Sequence, residues 1–134
     1  MSNRAMGSDG EKKLAQMLAE KGFWVHLLQQ NKAGQPCDII AVDRDGRGHL
    51  IDSKVCANSK FDLARIEPNQ ELVAQKWNSI TGLELWFALW IGDEIFMWSF
   101  SALMEQKAVR SVLPAHIIRN VGIPFKDWVA WMSE

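Results

Sequence analysis

Residues 84–91, ELWFALWI, are apolar on both sides of an extended chain: Leu85, Phe87, Leu89 and Ile91 fall on one, Trp86, Ala88 and Trp90 on the other. A strand without a polar face belongs inside a sheet that is covered above and below. The Gly92-Asp93 pair turns the chain into EIFMWSF (94–100), a second strand. A chain of 134 residues suits one such sheet and one core. The remaining segments must therefore supply helical layers for both faces.

They have the patterns to do so. SDGEKKLAQMLAEK (8–21) predicts a helix with Ser8 as cap, Glu11 at the capping-box position and Gly22 as its stop. FWVHLLQQ (23–30) predicts a strand and NKAGQP (31–36) a loop. Two strands at 37–43 and 49–56 flank an Asp/Gly-rich turn and read as a hairpin, and CANSKFDLARIEPNQ reads as irregular. A helix is expected over 68–81, with Pro68 in its first turn and Leu72, Val73, Trp77 and Ile80 as its apolar face. Ser101 is placed to cap a short helix ending near Gln106. Phe125, Trp128, Val129 and Met132 recur at i, i+3, i+4 and i+7, marking a last helix. The order α-β-β-β-α-β-β-α predicts a single α/β (α+β) domain, a mixed central β-sheet flanked by helices, with residues 1–7 flexible.

Charge excludes a basic nucleic-acid-binding surface. Net charge is −1; residues 1–60 hold nine Lys/Arg against seven acids, and 61–134 hold six against nine. Any DNA contact must use a local patch. No apolar run reaches the roughly 18 residues of a membrane span, and the first residues carry no signal-like apolar segment. Cys37 and Cys56 are then expected as reduced thiols in the cytoplasm.

The hairpin segment PCDIIAVDRDGRGHLIDSKVC (36–56) carries acids where burial is expected: Asp38 opens one apolar run and Asp52 interrupts the next, two residues before Lys54. Asp52 and Lys54 share a face by alternation. A loop over 44–48 sets Asp43 against His49, Ile40 against Asp52 and Asp38 against Lys54, so that all three charges converge. A two-residue Asp45-Gly46 turn instead turns Asp38 away. Converging carboxylates with an ammonium suit metal-assisted phosphodiester hydrolysis. Mg²⁺ takes carboxylate and water oxygens and lowers the pKa of a bound water. The lysine orients that water or stabilises charge on the phosphoryl oxygens. Glu11 is a further carboxylate for a second ion or for the water. The same spacing also fits a strand-start cap at Asp38 beside a surface Asp52–Lys54 ion pair.

With its helical Glu11, Gly34 ahead of Asp38 at a strand start, and Asp52-x-Lys54 on the next strand, the stretch from Gly10 to Val55 resembles the PD-(D/E)XK nuclease superfamily, and within it the Holliday junction resolvases. Phe61, Leu63, Ile66 and Gln70 are similar to the Phe-x-Leu…Ile…Gln sequence of RecU-type resolvases, and LWFALWIGDEIFMWSF and GIPF fit the same order. This chain has Asp52 where those enzymes usually carry Glu, and its QQNKAGQP loop is short for their junction-entering stalk. The resemblance implies a restriction-endonuclease-like fold and a homodimer that cuts branched DNA in recombination, in a bacterial or phage-infected cell. It implies Mg²⁺, with Mn²⁺ expected to substitute, on Asp38, Asp52 and Glu11. Lys54 and Gln70 complete the catalytic set, and Lys12, Lys32, Lys60 and Arg65 are candidates for phosphate contacts. Alternatives are a PD-(D/E)XK nuclease for duplex, nicked or flap DNA, a non-catalytic DNA-binding module of the same fold, and a protein-interaction domain.

His26, His49 and His116 lack ligand spacing and read as structural or surface residues. Trp86, Trp90 and Trp98 read as core rather than base-stacking residues, Cys37 as pointing away from Asp38, and Trp128, Trp131 and Met132 as material for a dimer interface.

Overall fold

A computed structural model of the chain describes residues 3–28 and 35–133. The elements are α1 (Asn3–Glu20), β1 (Trp24–Leu27), β2 (Ile39–Val42), β3 (Gly48–Val55), β4 (Phe61–Asp62), α2 (Pro68–Thr81), β5 (Trp86–Ile91), β6 (Glu94–Ser99), α3 (Phe100–Lys107), β7 (Val112–Leu113), α4 (Ala115–Val121), β8 (Ile123–Pro124) and α5 (Phe125–Met132). Six strands form one sheet in the order β1-β2-β3-β5-β6-β8, with β3 and β5 parallel and the other neighbours antiparallel. The ribbon β4–β7 stands apart.

The two-sided apolar pattern of 84–91 is realised in β5, whose every residue is buried. Leu85, Phe87, Leu89 and Ile91 join one core layer with Leu50, Phe61, Ala74, Trp98, Leu103 and Ile118, beneath α2, α3 and α4. Trp86, Ala88 and Trp90 join the other with Leu14, Leu18, Ile39, Ala41, Ile51 and Trp128, beneath α1 and α5.

Helix α1 starts at Asn3, so Ser8 and Glu11 lie inside it and not at its start. The capping-box expectation fails because an amide in a helix interior already has its carbonyl four residues back. Gly22 does end the helix: its φ is +96, its N–H bonds Ala19 O at 3.1 Å, and Phe23 N–H bonds Leu18 O at 3.2 Å.

Helix α2 has the expected span, but Leu72 and Ile80 are 68% and 73% exposed. The helix instead turns Gln70 and Ala74 inward, with Val73 and Trp77 half-buried at their sides. A small alanine on the contact stripe lets the helix approach the sheet more closely than a leucine would. Ser99, not Ser101, caps α3 by accepting Ala102 N–H at 3.1 Å; Ser101 bonds Glu84. Trp128 is fully buried against Phe23, His49 and Trp86, so it is core and no dimer contact. Of the aromatic material on α5, Trp131 alone is exposed.

Candidate active site

The hairpin β2–β3 builds the site. Its loop is shorter than 44–48: Asp43 N–H bonds Arg47 O at 3.0 Å, and Gly46 takes φ +84 within a three-residue connection, 44–46. Ile40 therefore pairs with Leu50, not Asp52, and His49 pairs with Ala41. The expected pairing of Asp38 with Lys54 is corrected with it. Asp52 and Lys54 share the face of Leu50, as alternation requires.

Asp38 reaches them by another route. Its N–H bonds Ile51 O at 3.1 Å, out of step with the Ile39–Ile51 pairing, so β2 bulges as it ends. Asp38 O accepts Leu28 N–H at 2.8 Å, and Asp38 Oδ2 accepts Ser53 N–H at 2.8 Å. The carboxylate thus takes the place beside β3 that a continuing β2 would have filled. It lies between the two sheet faces, within reach of Asp52 from one and of Glu11 on α1 from the other. Cys37, one residue earlier, enters the opposite core layer from Ile39, near enough to Asp52 and Asp38 to feel their charges.

All three acids are buried: Asp52 is 3% exposed, Glu11 7% and Asp38 8%. Lys54 Nζ stands 3.1 Å from Asp52 Oδ2. That contact is an ion pair without the alignment of a hydrogen bond, and Oδ2 has no hydrogen-bond partner. Burial, then the charge of Asp38, pushes the Asp52 carboxyl up to about 7, against the pull of Lys54. Burial also raises Asp38, with the Ser53 amide opposing and Glu11 adding to the rise. Burial, with Asp52 and Asp38 adding, pushes the Cys37 thiol up to about 12, which removes it as a nucleophile.

The other expected residues divide. Lys12 is exposed on α1 next to Glu11, and Lys60 is exposed beyond the end of β3. Arg65 is tied down: Nη1 donates to Val55 O at 2.8 Å, and its guanidinium lies 5.3 Å from the Phe61 ring centre. Lys32 and Gly34 lie outside the described residues. Gln70 is buried and closes the capping box of α2, its Oε1 accepting Glu67 N–H at 3.2 Å, so its carbonyl oxygen is committed to the helix start.

Ser53 is a site residue that the sequence pattern passes over. Its amide holds Asp38, while its hydroxyl accepts Trp90 Nε1–H at 3.0 Å. Gly10 of α1 packs over that hydroxyl and over Trp90, which places Glu11 beside the cluster. The middle residue of Asp52-x-Lys54 points to the face away from the two charges, and that parity was the available signal.

The residues fit a divalent cation in part. A buried oxygen lacking an aligned donor, and two carboxyls whose proton affinity is raised by burial, with Asp38 adding to the rise of Asp52 and Glu11 to that of Asp38, are what a cation would relieve. Among the described residues no three His, Cys, Asp or Glu groups are grouped as a complete metal set. Protein ligation would then rest on Asp38 and Asp52, with water or phosphate oxygens filling the rest, as Mg²⁺ tolerates.

A solved structure shares this fold. The chain superposes with a TM-score of 0.66 on the 1.6 Å structure of Hjc, a Holliday junction resolvase from the archaeal hyperthermophile Archaeoglobus fulgidus, covering 93% of this chain and 96% of that one at 18% identity. No family model and no curated protein matches the sequence. Among the described residues no helix is long and apolar enough to cross a membrane.

Proposed function

We propose that the chain is a metal-dependent DNA endonuclease that cuts branched DNA, as a homodimer, in recombination. The observation that carries this is the buried meeting of Asp38, Asp52 and Lys54 at the bulged end of β2, on a fold shared with an archaeal Holliday junction resolvase. Asp38 and Asp52 would hold Mg²⁺, or Mn²⁺ in its place, which supplies charge neutralisation of the phosphate and an acidified water. Lys54, mostly buried and paired with Asp52, is positioned to exchange that partner for an oxygen of the scissile phosphate. Glu11, reaching the cluster from α1, is positioned to accept a proton from the attacking water. Exposed Lys12 and Lys60 flank the site as phosphate contacts.

A homodimer follows from the substrate. A four-way junction has near two-fold symmetry and needs two matched cuts, whereas one chain offers one such cluster among its described residues. With Trp128 internal, exposed Trp131 remains the candidate on α5 for the contact between copies.

The test is cleavage of matched four-way junction, flap and duplex substrates with Mg²⁺, Mn²⁺ or Ca²⁺, with light scattering of the protein at micromolar concentration. Preferred, paired cuts in the junction by a dimer are expected. Equal cutting of all three substrates would keep the nuclease and discard the resolvase. Binding without cleavage under every metal would leave a DNA-binding module.

A further inference from the structure

β1 is an edge strand of the main sheet among the described residues, and it carries two aromatic rings that neither core layer uses. Trp24 is 63% exposed, and its indole stacks on the exposed imidazole of His26, with ring centroids 6.1 Å apart and planes 10° from parallel. The intervening Val25 and Leu27 pack into the α1 layer, so Trp24 and His26 share the opposite face. Trp24 pairs with Val42 and His26 with Ile40. The row continues to Leu28, whose N–H bonds Asp38 O at 2.8 Å. At ~3.3 Å per residue, the stack runs from roughly 7 to 13 Å along the strand from the residue next to Asp38.

We infer that the Trp24–His26 stack is a platform for an unpaired nucleobase beside the scissile phosphate, and so a determinant of branched over duplex DNA. This rests on the proposed nuclease function. A flat ring held on a rigid strand, with its outer face in water, matches the π-face of any base. Bases inside an intact duplex are stacked on one another and are not offered to it; bases at a branch point, gap or flap are. The surroundings suit a phosphate backbone. The Arg44 side chain lies against Gly22 at the head of β1, and Lys21 is exposed beside it. The neighbouring acids are engaged: Asp43 with His49 and Arg47, Asp45 with Arg47.

The experiment uses the full chain in Ca²⁺ and DNA carrying the fluorescent base 2-aminopurine, unpaired at a junction or gap, against the same base in duplex. Quenching of the unpaired probe is expected with the unmodified protein and with Trp24→Phe, but not with Trp24→Ala. Trp24→Ala should also bind the branched substrate roughly ten- to a hundredfold more weakly, with little change for duplex. Circular dichroism and the melting curve confirm that the variants fold. Equal quenching by Trp24→Ala overturns the platform alone and leaves the nuclease standing. Unchanged quenching together with a lost dimer in light scattering would assign the patch to a second copy and also overturn it. Failure of the unmodified protein to bind any DNA overturns both.

Discussion

The two ends of one hairpin each bury an aspartate, and they treat it in opposite ways. At the loop end, Asp43 accepts the amides of Asp45 at 2.9 Å and Arg47 at 3.0 Å, the Arg47 Nε at 3.2 Å, and pairs with His49 Nε2 at 2.9 Å. Burial alone would raise its carboxyl, but the His49 hydrogen bond and the two amides outweigh it and hold the group below the usual carboxylate range. At the other end, Asp52 has one off-line ammonium and a neighbouring carboxylate, and its proton affinity rises. A carboxylate that serves the fold is given its donors. Asp52 is left short of them and would gain from a bound cation, and the difference separates the two acids at opposite ends of the same hairpin.

Substitution at the open end should produce the largest effect. Asp38→Asn and Asp52→Asn are expected to bring junction cleavage to background, and Lys54→Ala to cost ~10²–10³-fold, while circular dichroism and DNA binding in Ca²⁺ stay near normal. The carboxylates would act through a bound cation, mainly on the transition state. A variant that cuts at a near-normal rate removes that residue from the mechanism.

At the satisfied end the expected loss is in stability instead. Asp43→Ala strands two amides, the Arg47 guanidinium and a His49 wedged against Phe23 and Trp128. Leaving a buried donor without its acceptor costs about 1–3 kcal/mol, a large part of a small domain's stability. Urea denaturation measures it. Cleavage per folded molecule should hold. A variant with normal stability and no cleavage would reverse the roles of the two ends.

The ends should also titrate with opposite slopes. Asp43 has a lowered folded pKa, so its stabilisation is present above the unfolded value and is lost as pH falls through the folded one. Asp52 has a raised folded pKa. Its contribution is full below about 3.8, the ordinary value, and is lost as pH climbs through about 7. Metal-free protein should therefore weaken between pH 4 and pH 7, and Asp52→Asn should remove most of that slope and be more stable at neutral pH. Melting curves against pH, with chelator and then with Ca²⁺, decide it. A slope that persists in Asp52→Asn would assign it elsewhere.

How much of this was legible before the structure depends on how many residues carry each signal. The buried strand at 86–91 was legible because six successive positions agree. The span of α2 was legible because Pro68 starts it, and Gly82, at φ +75, stops it. The convergence of Asp38, Asp52 and Lys54 was legible, but the residue-by-residue pairing behind it was not. Hairpin pairing turned on whether Arg47 belongs to the loop, and the bulge at Asp38 depends on where β2 runs out. Strands of two residues, β4, β7 and β8, carry no period to detect. Trp128 was misplaced because an apolar stripe on a last helix looks the same whether it meets a sheet or a second chain. His49, Phe23 and Trp86 decided it, and they lie far away in sequence.

The smallest expected effect tests whether the loop end is anchored to α1 as well as to itself. Gly22 closes α1 at φ +96, a conformation that costs an L-residue with a side chain about 1–2 kcal/mol. A Cβ there would also stand 2.8 Å from Arg44 Nη2, and Arg44 belongs to the same loop as Asp43. The guanidinium is the far end of a flexible side chain and can swing away, so the steric contact adds little to the backbone cost. Gly22→Ala should lower stability by about 1 kcal/mol, and Gly22→Asn by less, because asparagine tolerates the left-handed region. Arg44→Ala in the Gly22→Ala background separates the two contributions: recovery of most of the loss would show that the side-chain contact dominates, and no recovery that the backbone does. The cluster at the other end of the hairpin should not register any of these changes. Junction cleavage per folded molecule is expected to stay constant across all three, and a fall in it would mean that α1, and Glu11 with it, is positioned from the loop end of the hairpin.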